Sequence, residues 1–150
     1  MAGTATTERT GTARDLMDRM TAATVAHDLD ALQALYAPDC VIETPDAGTL
    51  HGREGLVTWM GQFFSAFPDM SWEHAYGHET ADVAIDEGWV VGTNTGPLPM
   101  PTGEDLAPTG KPIRIRGCDI ATVANGQIVS HRFYYDQLEL LTQLGIQPSD

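Results

Sequence analysis

The chain has 150 residues, 42% of them apolar and 19% charged, enough for one domain with a core of its own. Its 8 basic and 21 acidic residues leave a net charge of −13, which argues against nucleic acid or an anionic membrane surface as partner, since both would repel it. No stretch reaches the ~20 apolar residues that cross a bilayer, and Met1–Gly11 lacks the apolar centre of a signal peptide, so a cytoplasmic protein with Cys40 and Cys118 reduced is expected.

Residues 1–11, small and Thr-rich, read as a disordered tail, and 12–150 as a single domain. From Thr12 to about His27, Leu16, Met17, Met20, Ala23 and Thr24 recur at helical spacing. Asp28 is placed to cap a second short helix carrying Leu29, Leu32, Leu35 and Tyr36, limited by Pro38. Cys40–Glu43 reads as a short strand broken by Pro45 and Gly48. A third helix spans about Arg53 to Phe67, with Leu56, Val57, Met60, Phe63, Phe64 and Phe67 on one broad apolar stripe, and Pro68-Asp69 ends it. Ser71–Tyr76 and Ala84–Thr95 are strand-like, with Gly88 and Gly92 permitting bends or bulges. The proline-rich stretch Gly96–Pro112 is long for a structureless loop, and such loops often serve as lids. Two strands, Ile113–Val123 and Gln127–Asp136, then flank Asn125-Gly126, and a short helix Gln137–Leu144 stops at Gly145. Helices early and strands late predict an α+β fold with a curved, mostly antiparallel sheet.

Asn-Gly between two β-rich runs is a strong hairpin signal, because both central residues of a type I′ turn need positive φ. With Ala124 opposite Gln127, a regular ladder sets Asp119 opposite Arg132, Gly117 opposite Tyr134 and Ile115 opposite Asp136. Opposed residues share a face. Asp119, Arg132, Tyr134 and Asp136 are therefore expected on one side, among Ile115, Ala121, Val123 and Ile128, which suggests a pocket. Alternation sends His131 to the opposite face, where a surface or dimer-interface role is expected; Arg114 and Arg116 share that face. Asp119 and Asp136 fall four residues apart along the strands, roughly 13 Å at ~3.3 Å per residue, too far to share a proton.

Phe67-Pro68-Asp69, Thr95-Gly96 followed by Pro108-Thr109-Gly110-Lys111, Asn125-Gly126-Gln127-Ile128-Val129 and Tyr134-Tyr135-Asp136 occur in this order. That pattern resembles the nuclear transport factor two-like superfamily, which includes the ketosteroid isomerases and limonene epoxide hydrolases. Within it the chain is most similar, over roughly residues 12–145, to the SnoaL-like polyketide cyclases. The resemblance implies a cone-shaped half-barrel, its curved sheet wrapped around helices with one deep pocket. It also implies a small apolar carbonyl-containing substrate, no cofactor, and a homodimer built on the outer sheet face.

Residue by residue, Asp119 sits where SnoaL-like cyclases keep an acid–base aspartate. Asp136 resembles the aspartate that limonene-type epoxide hydrolases use in water activation, and Asn94 stands where SnoaL-like proteins often show histidine. Gly92 replaces the arginine of the epoxide-hydrolase pattern. Thr44 falls near the isomerase base position and cannot abstract a proton, which argues against steroid isomerisation. Asp119, Asp136 and Asn94 are the candidate catalytic residues. Tyr134, Trp72, His74, Met60, Phe64 and Arg132 are the candidate substrate-binding residues. Each has a structural alternative: Asp119 as an ion pair with Arg132, Asp136 as an N-cap, His74 as a satisfied structural histidine. No histidine, cysteine or carboxylate spacing suggests a metal site.

Three functions are consistent with these residues. One is acid–base catalysis of an aldol-type ring closure or related enolate reaction, centred on Asp119. The second is epoxide hydrolysis with Asp136 activating water. The third is a ligand-binding or dimerising domain without turnover.

Overall fold

The computed structural model describes residues 11–100 and 102–147. The expected disordered tail therefore lies outside the described residues, apart from Gly11. Helix α1 (Ala13–Val25) starts at Thr12, whose hydroxyl accepts the Asp15 amide at 3.2 Å. It ends at His27, whose φ of 56° turns the chain into the left-handed region. His27 is fixed there by stacking on Phe64, with ring centroids 4.4 Å apart, and by a 3.0 Å contact to the Met70 carbonyl. Asp28 caps α2 (Leu29–Ala34) through the Ala31 amide, as its position predicts.

Strand β1 (Tyr36–Thr44) is longer than the sequence suggests and pairs with a short β2 (Gly48–His51), which hydropathy alone does not reveal. Helix α3 (Gly52–Ala66) follows, with Leu56, Trp59, Met60 and Ala66 buried. The sheet continues with β3 (Ser71–Glu79), β4 (Val83–Thr93), β7 (Pro112–Ala124) and β8 (Gln127–Tyr135), and α4 (Gln137–Gln143) ends the fold. Between β4 and β7, two short strands, β5 (Leu98–Pro99) and β6 (Asp105–Leu106), pair with each other.

The main sheet has six strands in the order β2-β1-β8-β7-β4-β3, antiparallel except where β1 runs parallel to β8. Register shifts interrupt β1–β8, β3–β4 and β7–β8. Each such bulge bends the ladder and increases its twist, so the sheet curls into a half-barrel around α1–α3. The core combines Leu16, Met17 and Met20 of α1, Leu56 of α3, and Ile42, Ile115, Ala121 and Ile128 of the sheet. Arg14 ties α1 to the sheet: its guanidinium meets Asp86 at 2.9 Å, Asp18 at 3.1 Å and Glu79 at 3.2 Å. No helix of the described residues is long and apolar enough to cross a membrane.

The Asn125-Gly126 turn forms as expected, with φ of 53° and 73° and Ala124 opposite Gln127. Two residues further on the regular ladder fails. Val123 pairs with Ile128 but Thr122 pairs with Ser130, leaving Val129 as an extra residue in β8. Because side chains alternate with period two, one extra residue reverses every facing beyond it.

Candidate active site

The reversal decides which side chains enter the concave side of the sheet. Asp119 pairs with Phe133, not Arg132, and Ala121 pairs with His131. His131 is consequently buried, 4% exposed, in place of Arg132. Its Nε2 lies 2.6 Å from Asp119 Oδ1 and its Nδ1 lies 2.8 Å from the hydroxyl of Tyr36, which is fully buried. Tyr36 comes from the start of β1, where Arg53 Nε of α3 donates to its carbonyl at 2.8 Å. Burial above all, and then the charge of Asp119, pushes the Tyr36 phenol well above its ordinary range, so it stays protonated.

Asp119 and His131 open onto a pocket between α1, α3 and the sheet. Its walls include Met20 of α1, Trp59, Met60 and Phe63 of α3, Trp72 of β3 and Phe133 of β8. Two glycines opposite each other on the inner face, Gly88 and Gly117, lie behind the Trp72 and Phe133 rings. A Cβ on Gly88 would lie 2.7 Å from the Trp72 ring, and one on Gly117 would lie 2.7 Å from the Phe133 ring. The rings rest against bare backbone, which is why both positions are glycine. Trp59 Nε1 donates to Asp46 at 3.0 Å, fixing that indole as a wall. Trp72 lines the pocket, and among the described residues no protein group bonds its indole N–H. Nor does a donor reach the second oxygen of Asp119. Ser71, next to Trp72 on β3, lies opposite Val91 and so alternates to the outer face of the sheet with Arg114. The site thus offers one free carboxylate oxygen and one unpaired indole donor within largely apolar walls.

Of the expected site residues, Asp119, Trp72 and Met60 are brought together here. The others are not. Tyr134, 47% exposed, and Arg132 face the outer side of the sheet because of the bulge, so the Asp119–Arg132 ion pair does not form. Asp136 is exposed and caps α4, its Oδ1 accepting from the Glu139 amide at 3.2 Å. His74 is exposed on β3 opposite Gly88. Phe64 braces His27 and is absent from the pocket wall.

Asn94 is fully buried and serves the loop: Nδ2 donates to the Ala66 and Gly96 carbonyls at 3.2 and 2.9 Å, while Oδ1 accepts from the Thr109 amide and hydroxyl at 2.8 and 2.9 Å. Both donors and both acceptor lone pairs of its amide are engaged, leaving none for a substrate. The Gly96–Pro112 loop it clamps packs against the end of α3, with Leu98 buried, and contributes no described residue to the pocket wall.

His131 and Tyr36 are the functional candidates that regular alternation misplaces or passes over. One signal for the bulge was present. Ile128 and Phe133 are both large and apolar yet five residues apart, so strict alternation can bury only one of them. Among the described residues no cluster of three or more histidine, cysteine, aspartate or glutamate side chains is arranged to hold a metal ion.

The fold has close relatives among solved structures. IdmH from Streptomyces antibioticus, a candidate polyketide cyclase, is 28% identical, with 89% of this chain and 98% of that one covered and a TM-score of 0.73. A candidate SnoaL-like polyketide cyclase from Jannaschia sp. CCS1 superposes with a TM-score of 0.77 at 18% identity, covering 89% and 92%. A protein with a ketosteroid isomerase-like fold from Catenulispora acidiphila DSM 44928, in complex with trimethylamine, reaches 0.72 at 20% identity over 88% and 93%. No curated protein sequence matches the chain. The family model for the SnoaL-like domain matches residues 17–131, a span from the middle of α1 to His131 itself, and the chain belongs to that family.

Proposed function

We propose that the protein is a cofactor-independent acid–base enzyme acting on a small, apolar carbonyl compound, with aldol-type ring closure as the concrete reaction. The observation that carries this reading is the 2.6 Å contact between His131 and Asp119 at the edge of an otherwise apolar pocket. Enolate chemistry needs a base near an acidic C–H and a hydrogen-bond donor where negative charge develops on oxygen. Asp119 supplies the base. The Trp72 N–H is the available donor, and Trp59, Met60 and Phe133 exclude water from the carbon skeleton. Kinship with candidate polyketide cyclases points to substrates of the same kind. The hydrolytic alternative loses its support with Asp136 committed to capping α4.

The same reading takes the protein as a homodimer through the outer sheet face, where Tyr76 and Tyr134 are exposed and Trp89 stacks under Arg114 with the cation 4.1 Å from the ring centroid. Light scattering coupled to gel filtration tests the dimer. The reaction is tested by incubating the protein with β-dicarbonyl and methyl-ketone compounds in deuterated buffer. Deuterium entry beside the carbonyl, lost in Asp119→Asn and reduced in His131→Gln, is the expected result. Saturable binding of the same compounds without exchange would refute catalysis and leave a binding domain.

A further inference from the structure

The Tyr36–His131–Asp119 chain has a direction, and the direction can be read from its donors. An imidazole between a hydroxyl and a carboxylate has three arrangements. It can be neutral with the proton on Nε2. It can be neutral with the proton on Nδ1, opposite a protonated Asp119. Or it can carry both protons. In the second and third, Nδ1–H points at the Tyr36 oxygen, and the hydroxyl proton must find another acceptor. Tyr36 is fully buried, and among the described residues its hydroxyl meets only His131. A buried hydroxyl proton left without an acceptor is strongly disfavoured.

Only the first arrangement satisfies every group. Tyr36 O–H donates to Nδ1, and Nε2–H donates to Asp119 Oδ1. The neighbouring charges do not reverse this. On β4, Asp86 stands opposite Asp119 but is taken by Arg14 of α1 at 2.9 Å. On β1, burial pushes the Cys40 thiol up, so it stays neutral.

We propose that Tyr36 is a positioning residue that sets the direction of donation, holding His131 as the neutral Nε2–H tautomer and Asp119 as a carboxylate. The consequence for chemistry rests on the reading of Asp119 as the reacting group. Chemistry in this pocket then begins with proton removal. The substrate C–H bond breaks, its proton bonds to the second oxygen of Asp119, and the electron pair passes into the carbonyl as an enolate. The proton returns to the product's alkoxide oxygen after ring closure, restoring the carboxylate. A substrate that must be protonated first, such as an epoxide opened by an acid, is not served by this resting state. The substrate class is therefore one whose C–H is acidified by an adjacent carbonyl, most favourably by two.

The test reads the tautomer without any substrate. Protein labelled with 15N-histidine is followed by long-range proton–nitrogen NMR at pH 7.5, with His131 assigned by its loss in His131→Gln. The expected spectrum has a proton on Nε2 and an unprotonated, hydrogen-bonded Nδ1. In Tyr36→Phe, Nδ1 is expected to shift to the position of a nitrogen without a donor. A proton on Nδ1 in the wild type, in the neutral or the charged ring, or an even mixture of tautomers, would overturn the proposal. So would an Nδ1 resonance unchanged in a folded Tyr36→Phe. If that variant does not fold, the wild-type tautomer alone decides. Deuterium exchange fails independently of this result if Asp119 is not catalytic, so the two readings fall separately.

Discussion

Gly88→Ala probes how the Trp72 wall of the pocket is seated. A Cβ at this position would stand 2.2 Å from the Glu73 carbonyl oxygen and 2.7 and 2.9 Å from two atoms of the Trp72 ring. The ring could tilt away; the carbonyl cannot, because it belongs to β3, paired with β4 on both sides of the bulge between His74 and Tyr76. Ordinary contact begins at 3.4 Å, so the strands must part by about 1.2 Å. Overpacking of that kind costs about 3 kcal/mol. For a chain of this size it lowers Tm by roughly 6–12 °C.

Gly61→Ala is the opposed control. It lies within α3, and its Cβ would meet only Leu29 Cδ1 at 3.9 Å. Replacing a helical glycine that has room for a methyl group gains about 0.5–1 kcal/mol. Calorimetry and urea unfolding followed by tryptophan fluorescence measure both variants. If Gly88→Ala melts within about 2 °C of the wild type, the close approach of β3 to β4 is not as described, and the placement of Trp72 fails with it.

Further outcomes follow from the same structure. Arg14→Met leaves Asp86, whose side chain is 5% exposed, without its cation, and is expected to cost about 3 kcal/mol in urea unfolding. Asp86→Asn in that background should recover part of the loss. Asn94→Asp removes both donors to the Ala66 and Gly96 carbonyls and is expected to destabilise by about 2 kcal/mol, freeing the loop to limited proteolysis. The Thr93 amide, 2.7 Å from Asp69, holds that carboxyl below its usual range. Its contribution is therefore full above the ordinary carboxylate range and lost as pH falls through the lowered value, so the stability gap between wild type and Asp69→Ala should narrow as the pH is taken from neutral into the acid range below the ordinary carboxylate value. Burial pushes the phenols of Tyr36 and Tyr135 up. Above about pH 10 the unfolded chain releases protons that the native state keeps, so stability falls with rising pH, and Tyr135→Phe should flatten that fall.

Local signals carried far in this chain. The four main helices, the Asp28 and Asp136 caps, the Asn125-Gly126 turn and the strands β3, β4, β7 and β8 all follow from periodicity and turn chemistry, because each depends on residues close in sequence. Those elements, with the Pro-Asp and Pro-Thr-Gly-Lys junctions, sufficed for the family and for Asp119 on the concave side. What they did not carry was parity. A single unpaired residue, Val129, leaves the turn as expected yet exchanges Arg132 and Tyr134 for His131 and Phe133 in the interior. A bulge is a bargain between two strands and the helices they must cover, so no one strand's sequence announces it.

The same distinction separates Asn94 from its expected role. Its amide is engaged by the backbone of Ala66, Gly96 and Thr109, three places whose proximity exists only once α3 and the loop have docked. The sequence by itself determined the elements other than β2, β5 and β6, their order, and one carboxylate of the site. Tertiary structure alone decided that carboxylate's partners, because the facing of a side chain is set by the accumulated register between strands, and register is a property of the assembled sheet.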